Sequence, residues 1–394
     1  MTINAEHVPE LNRLTVLKSI NQKEPFTRMD IVRKANLSLP TVNNILLDLK
    51  EAGYVKEVGS DRSRGGRPPT LFHFNPAARY AIGIEIQLPT ISIGLVNLQE
   101  ELVALAEHDF KDDATSDYVI QTLQNGITNL LSKQQIDVSR LIGIGLGVPG
   151  FVDQDTGVWL RYTRMPHLRD IPLITPLSNT FGVPVYTQNE SNVYALAELR
   201  SGSLRQQRDT IFINWSEGIK ASVVVDGRIL SGRYGNFGAI GHFIVVEHGR
   251  DCYCGSKGCL EMYASGYAFR EAINIKAGQR SSPKPDEVFK LAAQGDPICR
   301  EIVEEAIPST GYAFASLTRI TDIYKVILLG AYIDGGEYLL NLLYDDMAGR
   351  LPGIAKRNLS LQLGSKHNIE TVLEAAAVPA IAGHFKLQTY ELGT

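Results

Sequence analysis

The 394-residue sequence predicts a two-lobed α/β fold with a cleft between the lobes, preceded by a winged helix-turn-helix module. Two observations carry this reading. From Tyr80 and again from Thr210, strand-like runs follow one another and lead into a helix and a further buried strand, the pattern of a duplicated α/β unit. Ahead of them, three short segments with helical apolar stripes end at Gly53, and a strand, an arginine–glycine loop and a second strand follow. The expected divisions are 1–75 for the winged module, 76–200 for the first lobe and 201–394 for the second, which holds a cysteine-rich loop. The C-terminal helix could return to the first lobe.

In the first module, Leu14, Leu17 and Ile20 share one face of a helix over Leu11–Ile20. Pro25-Phe26-Thr27 breaks the pattern, and Thr27 with Asp30 makes a capping box for a second helix that turns Ile31 and Val32 inward and runs to Ala35. Ser38 caps a third helix, where Pro40 is tolerated in the first turn. Val42, Ile45, Leu46 and Leu49 form its apolar stripe, and Gly53 ends it. Such a third helix enters the DNA major groove in helix-turn-helix proteins. Its outward polar residues Ser38, Thr41, Asn43 and Asn44 are therefore the candidate base and phosphate contacts. Any three-helix bundle shares the apolar pattern; the wing separates the readings. Between strands near Tyr54–Val58 and Thr70–Phe74 lies R-S-R-G-G-R-P, with Arg62, Arg64 and Arg67 suited to a narrow minor groove.

Bulk composition sets limits. Hydrophobic content of 44% and charge of 21% describe an ordinary globular chain with room for two or three domains. A net charge of −4 excludes whole-surface attraction to nucleic acid, so DNA contact must come from a local basic patch. The polar N-terminal segment and the lack of any apolar run of spanning length predict no membrane insertion and a cytoplasmic protein.

The lobes read as strands at Tyr80–Gln87, Thr90–Asn97 and Leu102–Phe110, a helix near Tyr118–Leu131, and a buried strand at Leu141–Val148. The second series holds T-I-F-I-N-W from Thr210, A-S-V-V-V, an Asp226-Gly227 turn and a strand ending at Gly330. Between them, Gly241–Glu261 concentrates three of the four cysteines, Cys252, Cys254 and Cys259, with His242 just upstream. Three thiolates and an imidazole are a complete tetrahedral zinc set with no open position, so one structural zinc per chain is expected. A disulfide is disfavoured without a secretory signature, and Cys252 and Cys254 stand too close to bridge comfortably. Cys299 is expected in a buried helix.

The run C-x-C-G-x-x-G-C-x-E behind Gly241-His242 resembles the ROK family, named for repressors, open reading frames and kinases, and within it the xylose- and N-acetylglucosamine-repressor type. Gly147–Gly157 (G-V-P-G-F-V-D-Q-D-T-G) and Pro184–Asn192 (P-V-Y-T-Q-N-E-S-N) resemble two further family segments in the same order. The resemblance implies an actin- and hexokinase-like architecture. It also implies a cleft in which Asn189, Glu190, His242 and Glu261 hold a sugar or sugar derivative; Ala239 stands where sugar kinases of the family carry a glutamate. The kinase loops are altered: Glu85–Thr90 lacks the glycines of D-x-G-G-T, Ser216–Lys220 replaces G-T-G-x-G, Gly330-Ala331 replaces Gly-Gly, and Glu190 stands at the catalytic aspartate. The expectation is therefore no catalytic residue and no enzyme, but a DNA-binding regulator of carbohydrate-metabolism genes, a repressor, acting as a homodimer or higher homo-oligomer on a double-stranded operator. The alternative is a sugar kinase with an appended DNA-binding module. A sensed partner protein in place of the sugar also fits the sequence.

Overall fold

The computed structural model describes residues 8–386 apart from 62–67, 88, 112, 163–164, 166, 202–207, 233–236 and 278–282. Local signals set the N-terminal module. Helix α1 covers Val8–Ser19, the short strand β1 Phe26–Thr27, α2 Arg28–Ala35 and α3 Leu39–Glu51. Thr27 and Asp30 form the reciprocal capping box at α2, and Asn36, at φ 52°, ends that helix in the left-handed region. The Ser38 side chain accepts from the Thr41 backbone N–H at the start of α3. Val16, Ile31, Val42, Leu46 and Leu49 are buried together with Phe72. Strands β2 (Val55–Ser60) and β3 (Thr70–Phe74) make the wing. The sequence marks Pro25-Phe26-Thr27 as a break before a helix capped by Thr27, with no strand there. Phe26 and Thr27 instead pair with Phe72 and Leu71, so the wing sheet has the order β1-β3-β2. Two residues are too few to show alternation, and the ring of Phe72, 6.1 Å from that of Phe26, supplies what the pattern lacks.

The first lobe is built from β4 (Tyr80–Gln87), β5 (Thr90–Asn97), β6 (Leu102–Asp109), α4 (Ser116–Lys133) and β7 (Leu141–Val148). A small antiparallel sheet follows, β8 (Phe151–Asp153), β9 (Val158–Arg161) and β10 (Arg169–Pro172), which the sequence reading did not foresee. Then come α5 (Ile174–Phe181), β11 (Val185–Asn189) and α6 (Glu190–Ser201), which crosses to the second lobe. The main sheet has the order β11-β7-β4-β5-β6. Ile82, Ile84 and Ile86 face Val119, Leu123 and Ile127 of α4 on one side, because side chains alternate along the strand.

The second lobe contains β12 (Thr210–Trp215), β13 (Ile219–Val225), β14 (Arg228–Ile229), α7 (Glu261–Ala264), α8 (Gly266–Ala277), α9 (Val288–Ala293), α10 (Pro297–Thr321), β15 (Lys325–Leu329), α11 (Gly336–Arg350), α12 (Gly353–Asn358) and β16 (Ser360–Leu363). Its sheet runs β14-β13-β12-β15-β16. Trp215 centres the core, edge-on to Phe289, Phe314 and Tyr332 with centroids 5.0, 5.7 and 5.6 Å away. Cys299 is buried in α10, as expected.

The last helix, α13 (Ile369–Phe385), returns to the first lobe and covers the second face of its sheet. Two strand glycines make this possible. A Cβ on Gly83 would overlap the carbonyl oxygen of Leu373, and one on Gly145 that of Ala376. The Ala375–Ala377 run lets the helix backbone settle directly on the strands. At its far end, His384 Nε2 lies 2.7 Å from the Tyr54 hydroxyl, and Lys386 meets Glu10 of α1. The winged module is thereby seated on the last turn of α13.

The packing predicts that Gly145→Ala, whose methyl group collides with backbone, lowers stability by about 1–3 kcal/mol as overpacked sites do. Gly349→Ala, in α11 with open space around it, leaves it unchanged or slightly higher. Thermal unfolding of the two variants checks this.

Candidate functional site

A cavity of about 690 Å³ lies between the lobes. The first lobe lines it with Gln87, Pro149–Phe151, Glu190 and Tyr194, the second with Ser216–Lys220, Ala239, His242 and Glu261. The turn after β7 is tight. Gly150 sits at φ 75°, where a Cβ would overlap the Arg161 carbonyl oxygen. Asn189, the last residue of β11, is buried behind this wall rather than on it. Its amide donates to the carbonyls of Val148 (3.4 Å) and Gly150 (2.8 Å), and its oxygen accepts from the Ser191 N–H at 3.0 Å. It staples the turn and caps α6. Glu190, one residue on, starts α6 and lines the cavity.

Glu261 opens α7. Its Oε1 accepts from the Ile219 N–H at 3.0 Å, tying the helix to the start of β13. Gly241 leaves the room for this; a Cβ there would crowd both Glu261 and the Ile219 carbonyl. His242 follows at once, and its Nδ1 lies 3.7 Å from Cys252 Sγ. Cys254 and Cys259 have their sulfurs 3.7 Å apart, and one donor atom from each of the four residues falls within 4.8 Å of the others. A tetrahedron with metal–sulfur distances of about 2.3 Å has an edge of about 3.8 Å, so the spacing fits a closed four-ligand site. Gly255 (φ 99°) and Gly258 (φ 74°) turn the loop, and Cys252 N–H bonds to the Ser256 carbonyl at 2.8 Å. Burial pushes the Cys252 and Cys259 thiols up, a penalty that a bound divalent cation reverses. All four cysteines are free of disulfides.

Charged groups that the sequence marks only as departures from kinase loops complete the cavity. Lys220 lines it from β13, with its ammonium 3.4 Å from the Gly150 carbonyl and 5.8 Å from the Phe151 ring centre. Burial pulls it down to about 8, although Glu190 and Glu261 both act to raise it. Burial, then the charges of Lys220 and Arg161, also favours the neutral His242 imidazole. Glu85 lies beside Gly147 beneath α6. Neither of its oxygens has a hydrogen-bond partner among the described residues. Burial, and then the Glu190 charge, pushes it well above the usual glutamate range. A lysine inside an otherwise apolar strand (I-K-A-S-V-V-V) was the available signal for Lys220. Glu85 was read only as a departure from a glycine loop.

At the rear of the cleft, Glu198 of α6 accepts from the Ser365 N–H at 2.9 Å, and His367 Nε2 approaches it at 2.9 Å outside hydrogen-bonding geometry. This contact joins α6 to the segment leading into α13, the two chain crossings between lobes. Glu217 is held by Arg270 at 2.7 Å against the start of α8.

In the winged module, Asn44 is exposed on α3. Ser38 and Thr41 share a hydroxyl contact of 2.8 Å at the cap. Asn43 accepts from Arg28 Nε at 2.9 Å, and that guanidinium lies 4.6 Å from the Phe72 ring centre, so Asn43 ties α3 to α2 and the wing. Arg62, Arg64 and Arg67 lie outside the described residues. Among the described residues no helix is long and apolar enough to cross a membrane.

A winged helix seated on a two-lobed, cleft-bearing body of actin- and hexokinase-like architecture defines the class. A model of the ROK family matches residues 81–377, three quarters of the chain, and the protein belongs to that family. The chain is 28% identical over 382 residues to the xylose repressor of Caldicellulosiruptor bescii, covering 94% of this chain and 95% of that one. Among solved structures, it resembles a ROK family transcriptional regulator described as a homolog of the E. coli MLC protein (TM-score 0.79, 24% identity, 98% of each chain). It also resembles the ROK hexokinase of Thermus thermophilus (TM-score 0.63, 27% identity), over 76% of this chain and 96% of that one. The family model begins at residue 81, beyond the winged module.

A buried carboxyl whose folded value is raised contributes stability below its unfolded value near 4.5, and that contribution is lost as pH rises. Glu85→Gln should therefore gain on the parent between about pH 5 and pH 8. Melting temperatures across that range check the sign.

Proposed function

We propose that the protein is a cytoplasmic DNA-binding transcriptional regulator, a repressor of carbohydrate-metabolism genes, that responds to a sugar or sugar derivative in the interlobe cleft. One observation carries the reading: the winged module is tied to the cleft-bearing body by α13. That helix ends on Tyr54 and begins just after Ser365–His367, which line the cleft. A ligand that shifts the lobes acts on both ends of one helix. The repressor name of the relative that spans nearly the whole chain supports the same reading. Ser38, Thr41, Asn43 and Asn44 face DNA in this proposal, with Arg62, Arg64 and Arg67 as the wing contacts. Two such modules on a two-fold operator call for a homodimer.

Glu190, His242 and Glu261 hold the ligand, with Asn189 setting the wall behind them. His242, Cys252, Cys254 and Cys259 hold one structural zinc, which fixes His242 and Glu261 at the cleft by closing the loop between them. The alternative, a sugar kinase, draws on the hexokinase likeness. Against it stands Glu217, a carboxylate fixed by Arg270 where the resemblance places a phosphate loop.

The zinc assignment predicts about one zinc per chain by elemental analysis, and its loss with reduced soluble yield in Cys254→Ser. For the regulator, the expected result is operator binding that a sugar weakens, with ATP consumption at background for any common hexose or pentose. Asn44→Ala should cost about 1–3 kcal/mol at one half-site position if the contact is bidentate. Sugar-dependent ADP release at enzymatic rates would replace this reading with the kinase.

A further inference from the structure

One side chain joins the two helices of the helix-turn-helix to the wing. Arg28 is the first residue of α2, and its Nε–H donates to the Asn43 amide oxygen on α3 at 2.9 Å. Its guanidinium lies over the Phe72 ring of β3, 4.6 Å from the ring centre. An Nε–H can only donate, so the Asn43 atom that faces it is the oxygen. With Nε and the guanidinium plane both set, the remaining N–H groups form a planar fork that has no hydrogen-bond partner among the described residues. Asp30, in the same first turn, caps Thr27 and pairs with Arg33 at 2.6 Å, so its charge is already matched.

Bidentate recognition of adenine needs both the oxygen and the nitrogen of an asparagine amide aimed at one base. Asn43 has its oxygen turned to α2, which closes that mode to it and leaves it to Asn44, exposed one residue on. A fixed guanidinium fork matches a different target. Phosphate accepts two parallel N–H bonds, and such charge-assisted pairs are about twice as strong as neutral ones. In helix-turn-helix docking the first helix crosses the DNA backbone while the second enters the groove, and Arg28 stands where the two meet. We propose that Arg28 is a phosphate anchor of the DNA interface, held in place by Asn43 and Phe72, and that Asn43 is a positioning residue and not a base contact. This rests on the reading of the winged module as DNA-binding and refines the part Asn43 plays in it.

Fluorescence anisotropy of the full chain tests it on two labelled duplexes of about 30 base pairs, room for two half-sites. One has mixed sequence; the other is selected by the parent chain from a randomised pool. Arg28→Gln is expected to lower the slope of log K against log salt by about 0.9 per bound module on both duplexes, the share of one phosphate. Arg28→Met, which keeps an apolar stem against Phe72, repeats the measurement if the glutamine variant folds poorly. Arg28→Lys keeps the charge and the slope but binds more weakly, for want of the planar fork. Asn43→Ala weakens both duplexes alike, by about threefold or more, with no change of preference among single-base variants of the selected duplex. An unchanged slope in the glutamine and methionine variants would overturn the anchor and reduce Arg28 to a tie between helices and wing. Relaxed preference at one base position in Asn43→Ala overturns the positioning role. A parent chain that binds neither duplex sinks the DNA reading itself and this inference with it, a result distinct from a parent that binds with a slope independent of Arg28.

Discussion

The close approach of α13 to bare strand backbone is the constraint on which the architecture rests. Side chains normally hold packed secondary-structure elements about 8–10 Å apart. Here glycine at 83 and 145 and alanine at 375–377 remove that spacing, and helix carbonyls lie on the strands. Close-packed interiors transmit displacement because they have few voids to absorb it. With no cushion of side chains, α13 cannot tilt or slide without disturbing β4 and β7, which carry Glu85 and the Pro149–Gly150 turn. The same helix is anchored to the second lobe's exit strand at one end and to the winged module at the other.

Much of this was legible in the residues. Caps at Thr27 and Ser38, the glycine stop at Gly53 (φ 82°) after α3 and the apolar stripes all follow local rules that tertiary context did not override. Strands β4–β7, β12, β13 and β15 read directly because buried strands are dense in Ile, Val and Leu, whereas the short β8–β10 did not. The four-ligand cluster was legible because its donors lie within 18 residues of one another. What stayed hidden depends on distant partners. Two residues of β1 are a strand only because Phe72 lies beside them. Asn189 looked like a ligand contact, yet its amide is spent on the backbone of a turn 40 residues away. Lys220 gives no sign in sequence of reaching Gly150, since the cleft exists only once the lobes meet.

The cleft also shows how one loop can serve stability and recognition together. A metal held by His242, Cys252, Cys254 and Cys259 would fix the distance between Gly241 and Glu261, and so the positions of His242 and Glu261. Groups placed this way would be held by coordination geometry rather than by side-chain packing, which limits the freedom they must lose if a ligand arrives. Lys220 and Glu190 line the cavity from opposite lobes and act on each other electrostatically, so the charge balance inside the cleft changes with the angle between the lobes.

The contact between Tyr54 and His384 spans 330 residues of sequence. A ribosome adding ~5–20 residues per second makes the winged module about 20–60 s before it makes the helix on which that module sits. During that interval the three-helix unit can fold on its own caps and core, but it has no seat, and the first lobe's sheet lies open on the face that α13 will cover. The nascent chain therefore carries a formed winged module before it carries the helix that seats it. Completion of α13 covers the sheet and seats the winged module in a single event, so the module cannot be coupled to the cleft until that helix has been made.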